Sequence, residues 1–172
     1  MANRLSIVYH ARNSVRTDIF LSSASCTIGN PANCAWQFPA KINDNAINGQ
    51  PVVGVDTNTD QFMPGIDYTS SGNLIVTFYD RREDANNISY HEYFAHVSAI
   101  GGYIEPNRRA CPTCPASDPG TLVLPGAARD RFIGDYQDVW TDSYPEGERA
   151  ISAWVEVMSG GRSDINWSRL GY

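Results

Sequence analysis

Apolar residues along this chain recur at every second position or in short unbroken runs, with almost no sign of the three-to-four spacing of a helix face. The stretch GNLIVTFYDRR, residues 72–82, is typical: a turn glycine, a run of bulky and β-branched residues, then an abrupt stop on Asp80, Arg81 and Arg82. RLSIVYHAR (4–12), TDIFLSS (17–23), ISYHEYFAHVS (88–98), AISAWVEV (150–157) and SDINWSRL (163–170) read the same way. Each is rich in β-branched and aromatic residues, and clusters of Gly, Pro, Asn and Asp separate them, which is the signature of strands joined by turns. The pattern predicts an all-β chain.

The strands also repeat. Aligning IVYHAR with VTFYDR sets Tyr9 over Phe78 and Arg12 over Arg81, and SAWVEV sets Trp154 over Phe78 and Glu156 over Asp80, a period of about 70 residues. The strands that follow agree, because TDIFLS and SDINWS set Asp18 over Asp164 at about twice that period. A strand-only unit of this size cannot bury both faces of its own small sheet. It must stack on neighbouring copies, as four-stranded antiparallel propeller blades do. The expectation is a partial blade over 1–45, a complete blade over 60–125 and a second partial blade over 130–172. That makes about two and a half blades, an incomplete ring, since closure takes at least about four.

Composition narrows the function classes. A chain of 172 residues with 42% apolar content can bury one domain-sized core, and a net charge of −6 argues against a nucleic-acid surface. No stretch approaches the roughly 18 uninterrupted apolar residues of a membrane-spanning helix. The first residues lack a charged then apolar leader, so an exported protein would carry its signal outside this chain. Lys41 is the only lysine against twelve arginines, a bias that favours ion pairs or an anion site over a general basic patch. The four cysteines fall into local pairs, Cys26 with Cys34 and Cys111 with Cys114, in turn-rich stretches. Disulfide clips in an oxidising compartment, extracellular or periplasmic, are the simplest reading. Two alternatives stay open: a CPTC redox motif, which needs a following helix that PASDPG does not supply, and a four-cysteine zinc site.

TDIFLSSAS, the run QFMPGIDYTSSGNLIVTFYDRRED followed by YFAHVSAIGG, and FIGDYQDVW followed by AISAWVEV and SDINWSRL together cover most of the chain. In them the chain resembles the sialidase-like propellers with bacterial neuraminidase, or Asp-box, repeats. The family's Asp box reads Ser-x-Asp-x-Gly-x-Thr-Trp, and its aspartate ties a turn to backbone amides. Here Ile100 takes the aspartate's place in Ser98-Ala99-Ile100-Gly101-Gly102, and Ser25 takes it in the first copy, where Cys26 to Cys34 interrupt the box before Ala35-Trp36. Both boxes are degenerate. The resemblance implies a site with three arginines on a substrate carboxylate, a tyrosine nucleophile activated by a glutamate, and an aspartate acid/base. The Phe-Arg-Ile-Pro stretch that carries the first arginine is absent from this chain, and no catalytic role transfers to a residue here.

Candidate residues follow from position. Arg81 has a counterpart in Arg12 and reads as scaffold. Arg82 has none and is the better candidate for an anionic ligand. In RFIGDYQDVW, Gly134 precedes Asp135 and Tyr136 at the head of an inner strand, next to the axial cavity where propellers hold ligands. A packing role for Tyr136 and a turn-capping role for Asp135 are the competing reading. His10, His91 and His96 lie on different strands without ligand spacing, so no metal site is expected, and no cofactor motif is present. Asn87-Ile88-Ser89 and Asn166-Trp167-Ser168 match the glycosylation pattern. The expected function is a sialidase-like propeller binding a glycan or protein ligand without hydrolysis on its own. The alternative is part of an exo-α-sialidase-type glycoside hydrolase. Expected partners are the missing blades or a second copy, with neither nucleic acid nor membrane.

Overall fold

The structure, a computed structural model, describes residues 2–27, 30–44, 59–117, 137–144, 147–158 and 162–171. Every regular element among them is a β-strand, as the alternating pattern predicts. The first sheet is formed by β1 (Ala2–Arg12), β2 (Thr17–Thr27) and β3 (Asn30–Trp36) in that order, with the short β4 (Ala40–Lys41) also on β2. The second runs in chain order through β5 (Gln61–Tyr68), β6 (Leu74–Asp80), β7 (His91–Val97) and β8 (Arg108–Arg109). The third has β10 (Gly147–Met158) between β9 (Asp138–Tyr144) and β11 (Arg162–Gly171). All pairings are antiparallel.

The three sheets stack face to face with the second in the middle. β6 is buried at every position because alternate side chains enter two separate cores. Leu74, Val76 and Phe78 join Ile19, Leu21 and Ile42 of the first sheet, together with Tyr93, Ala95 and Val97 of β7. Ile75 and Tyr79 turn the other way and join Val139, Ala150, Trp154 and Leu170 of the third. The run LIVTFY, apolar but for the buried Thr77, is therefore the sequence of a strand covered on both sides. The strands aligned by the repeat also stack alike: the face carrying Phe78 meets the first sheet, and the face carrying Trp154 meets the second. Tyr9, the third member of the series, stacks on its cross-strand partner Phe20 at 5.9 Å. The outermost strands leave large apolar side chains exposed, Leu5, Ile7 and Trp36 on the first sheet and Trp140, Ile165 and Trp167 on the third.

Local irregularities have local causes. The β5–β6 ladder shifts register between Phe62 and Gly65, where Pro64 has no N–H to donate and Met63 takes a φ of 50°. The Ser98–Gly102 turn closes without the aspartate of an Asp box: the Ser98 hydroxyl accepts the Gly102 N–H at 3.0 Å, and the Ser98 N–H donates to the Gly102 carbonyl at 2.8 Å. Both cysteine pairs are disulfides, and no cysteine among the described residues is free, so the four-cysteine zinc alternative falls away. Cys26 and Cys34 are direct cross-strand partners in β2 and β3.

Two turn glycines of equal φ separate strain from crowding. Gly72 has φ +82° and open space where a Cβ would stand, whereas Gly101 has φ +84° and would place a Cβ 2.4 Å from that of Ala40. Gly72→Ala should lose about 1–2 kcal/mol, the cost of left-handed backbone. Gly101→Ala should lose a further ~1–3 kcal/mol from overpacking against β4. Urea denaturation of the two variants checks this, and equal losses would refute the close approach of the β7–β8 turn to β4.

Candidate functional site

β6 ends its apolar run on Asp80, and a buried carboxylate needs charge-assisted partners. The chain supplies them at once by turning back: the Arg82 N–H donates to Asp80 Oδ1 at 2.7 Å, and Arg82 Nε and Nη2 reach Oδ2 at 2.8 and 2.5 Å. Arg82 Nη1 donates to Asp44 at 2.9 Å, and Nη2 donates to Asn107 Oδ1 at 3.4 Å. The guanidinium sits over the Tyr93 ring at 4.2 Å. Burial alone would depress the Arg82 pKa. Asp80, with smaller contributions from Tyr93 and Asp44, outweighs it and raises the value, so the side chain is a permanent cation.

This pair is one end of a buried polar chain that crosses into the first sheet. Gln61 donates to Asp80 at 3.2 Å and accepts from Asn43 at 3.0 Å, and Asn43 also donates to Asp18 at 2.8 Å. Asp18 pairs with Lys41 at 3.0 Å and with Arg16 at 3.4 Å. Burial pushes the Asp18 carboxyl up, but Asn43, Lys41 and Arg16 together hold it below its ordinary value. Asp44 and Asn107 lock the segments leaving the first two sheets by reciprocal bonds: the Asp44 N–H donates to Asn107 at 2.9 Å, and the Asn107 N–H to Asp44 at 2.7 Å.

Arg82 is thus enclosed, its side chain 0% exposed, and its donors are spent on the protein itself. Arg81, read from sequence as scaffold, is the more accessible of the two, 22% exposed, 3.6 Å from Asp60 and over the Phe62 ring at 4.8 Å. Asp60 also accepts from the Thr17 N–H and from Asn87 Nδ2, at 2.8 and 2.7 Å. Asp135 and Tyr136 lie outside the described residues. The amide nitrogens of both glycosylation-pattern asparagines are engaged, Asn87 on Asp60 and Asn166 on Glu156 at 2.6 Å. The histidines are dispersed: His10 accepts from the Met63 N–H, His91 meets Arg109, and His96 meets Glu105. No metal-binding group of His, Cys, Asp and Glu occurs among the described residues.

A second cluster adjoins the first. The Tyr93 hydroxyl donates to Glu83 at 2.5 Å, and Glu83 lies 3.5 Å from Arg109, which donates to His91 at 2.8 Å. Burial, reinforced by the bond to Glu83, raises the Tyr93 pKa and keeps its proton in place, while burial and the charge of Arg109 push His91 down. Across the other interface, Glu92 accepts from Ser152 at 3.1 Å, and burial pushes its carboxyl up to about 8 despite hydrogen bonding by Ser152 and Thr77. Asn43, Gln61, Glu92 and Asn107 were not singled out by sequence. None of them stands in a motif spacing, and only the contact between distant segments gives each a role.

Compared with protein-family models, with curated proteins and with solved structures, the chain shows no match.

Asp80→Asn would strand the enclosed Arg82 with only Asp44, whose side chain is 15% exposed, as counter-charge, so an unfolding loss of about 3–5 kcal/mol is expected. Arg81→Gln, which breaks a partly solvated pair, should lose within about 1 kcal/mol. Urea denaturation checks both, and equal effects would overturn the difference in burial. Glu92 gives a pH test. Its folded pKa is raised, so between the ordinary 4.5 and about 8 the unfolded chain loses a proton that the folded chain keeps, and stability falls as pH rises. The stability gap between Glu92→Gln and the native protein should widen in the variant's favour from about pH 5 to 8, at up to about 1.4 kcal/mol per pH unit. His91 has the opposite pH sense but is common to both proteins. A gap independent of pH would refute the burial of an ionisable carboxyl between the sheets.

Proposed function

We propose that this chain is part of a sialidase-like β-propeller that binds a glycan or protein ligand and does not hydrolyse glycosides by itself. The observation that carries the reading is the serial stack. Three antiparallel sheets pack in chain order, the repeat-related strands of the last two turn the same face toward the preceding sheet, and the outer sheets expose apolar side chains of the kind that cover the middle one. Blades of a ring pack in this way, and further blades or another copy would cover the remaining faces. The non-hydrolytic part rests on two features. The arginine best placed by sequence is tied to Asp80 and Asp44, and the Ser98–Gly102 turn has lost its aspartate. Two disulfides suit an extracellular or periplasmic setting.

The test uses the purified chain with a fluorogenic sialoside and a panel of immobilised glycans. No sialic acid should be released, and at least one glycan should bind. Tyr136→Phe should weaken that binding about tenfold, or about 1.4 kcal/mol, if the hydroxyl orients the ligand. Sialoside hydrolysis by the chain would replace the binding reading with the glycosidase one. A folded chain that neither hydrolyses nor binds any glycan would remove the carbohydrate connection.

A further inference from the structure

The two ends of the stack carry apolar faces of different kinds. On the first sheet, Val8 packs against the core shared with the second sheet and Ser6 meets Tyr68 there, so Leu5, Ile7 and Tyr9 of β1 lie on the opposite face. Phe20 joins them, since its neighbours Ile19 and Leu21 both enter that core, and Trp36 stands in one cross-strand row with Ala24 and Leu5. On the third sheet, Ala150 and Trp154 enter the core shared with the second, and Ser152 meets Glu92. Ile151 and Ala153 therefore face away, with their cross-strand partners Trp140 and Trp167, and Ile165 follows on the same face. Leu5, Ile7 and Trp36 at one end, and Trp140, Ile165 and Trp167 at the other, are all exposed. Three of the four tryptophans thus stand on the end faces, while the fourth, Trp154, fills the core between two sheets.

Polarity decides what fits these faces. Phe78 of the second sheet meets the first, and Trp154 of the third meets the second, so in both sheets the face carrying this repeat position turns toward the preceding sheet. Tyr9 holds the same repeat position in the first sheet, and its face is the exposed one. The third sheet shows the converse. Its exposed face, carrying Ala153, is of the kind that receives a following sheet, as the Tyr79 face of the second sheet does. Each contact inside the stack joins one face of each kind, and one of each kind is left over. A second copy of the chain presents the complement of both. Pairing first sheet with first sheet would join two faces of one kind, a contact that the stack does not contain.

We propose that two copies of the chain close head to tail into one ring, the third sheet of each packing on the first sheet of the other. The inference rests on the blade reading proposed above and names what covers the open faces. Two copies of three sheets make six, within the roughly 4–8 blades typical of a propeller, whereas three copies would make nine. Head-to-tail contacts either close or run on as an open stack, and closure with two copies buries both leftover faces of each chain at once. Contiguous exposed apolar faces mark interaction surfaces, and aromatic side chains such as Trp36, Trp140 and Trp167 are the ones enriched where proteins join.

The test follows the purified full chain by sedimentation velocity at tens of micromolar, where a single species of twice the chain mass is expected. Ile7→Asp on one face and Ile165→Lys on the other should each weaken self-association by at least about a hundredfold, because each puts an unpaired charge into an apolar contact in both copies. Ile7 and Ile165 are 47% and 67% exposed, so both variants should keep the thermal unfolding of an isolated native chain. Mixing the two variants should restore a dimer, since the unaltered third sheet of the first then meets the unaltered first sheet of the second. Should either variant fail to fold, Leu5→Asp or Trp140→Lys replaces it on the same face. A folded native chain that stays monomeric, species that grow beyond the dimer with concentration, dissociation by one variant and not by the other, or no dimer on mixing would each overturn the ring. The glycan panel is read on the same samples: a monomer that binds a glycan removes the ring and keeps the binding reading, and a dimer that binds none does the reverse.

Discussion

The middle sheet has no solvent face, and the rest of the structure follows from that constraint. A strand buried on both sides must be apolar or have its polar groups bonded, and β6 is apolar but for the hydrogen-bonded Thr77 until it reaches Asp80. Polar groups at its margins must then be satisfied inside the protein, because water does not reach them. Asp80 meets this demand through Arg82, two residues on, and Arg82 through Asp44 and the ring of Tyr93. Isolated, either charge would be strongly destabilising; together they are enclosed at little net cost.

Satisfaction of backbone groups obeys the same logic. Beyond the pair of Ala153 with Asp138, the first residue of β9, two tyrosines of the middle sheet bond the backbone of β10. The Val155 N–H donates to the Tyr79 hydroxyl at 2.9 Å, and the Tyr90 hydroxyl donates to the Val155 carbonyl at 3.0 Å. Their rings lie 4.5 Å apart in the same core, and burial raises the pKa of both. Apolar contact is non-directional and would tolerate a sliding sheet. These hydroxyls, like the chain from Asp18 through Asn43 and Gln61 to Asp80, are directional and hold one sheet against the next in a single register.

The strands and the two disulfides were legible in the sequence for a physical reason: alternation and turn chemistry are local, and each cysteine pair is close along the chain. The two-sided burial of β6 was not read from the sequence, although a run apolar at all but Thr77 fits it. The sequence ranked Arg82 above Arg81 as the ligand candidate because only Arg81 has a counterpart in the repeat, and that pattern does not report burial. Arg81, with a counterpart in the repeat, lies at the partly solvated Asp60, and Arg82, without one, is enclosed. The deciding groups, Asp44 and Asn107, lie 38 and 25 residues from Arg82, so no local pattern announces them. Distant contacts of this kind also give Glu92 its role, since Ser152 is 60 residues away.

The two interfaces of the stack are built from opposite electrostatics. Beside the first and second sheets charged groups are paired, Lys41 with Asp18 within the first, Arg82 with Asp80 within the second and Arg82 with Asp44 across, and Asp18 is held below its ordinary value. A depressed carboxyl contributes stability above its unfolded value of 3.8, and that contribution is lost as pH falls through the folded value. Between the second and third sheets the ionisable group, Glu92, prefers to be neutral, and its pairing with Ser152 needs no counter-charge. Acid therefore removes a contribution that Asp18 makes beside the first sheet, and base one that Glu92 makes between the second and third. Because the middle sheet depends on both neighbours for its cover, neither interface can open without exposing one of its faces to water.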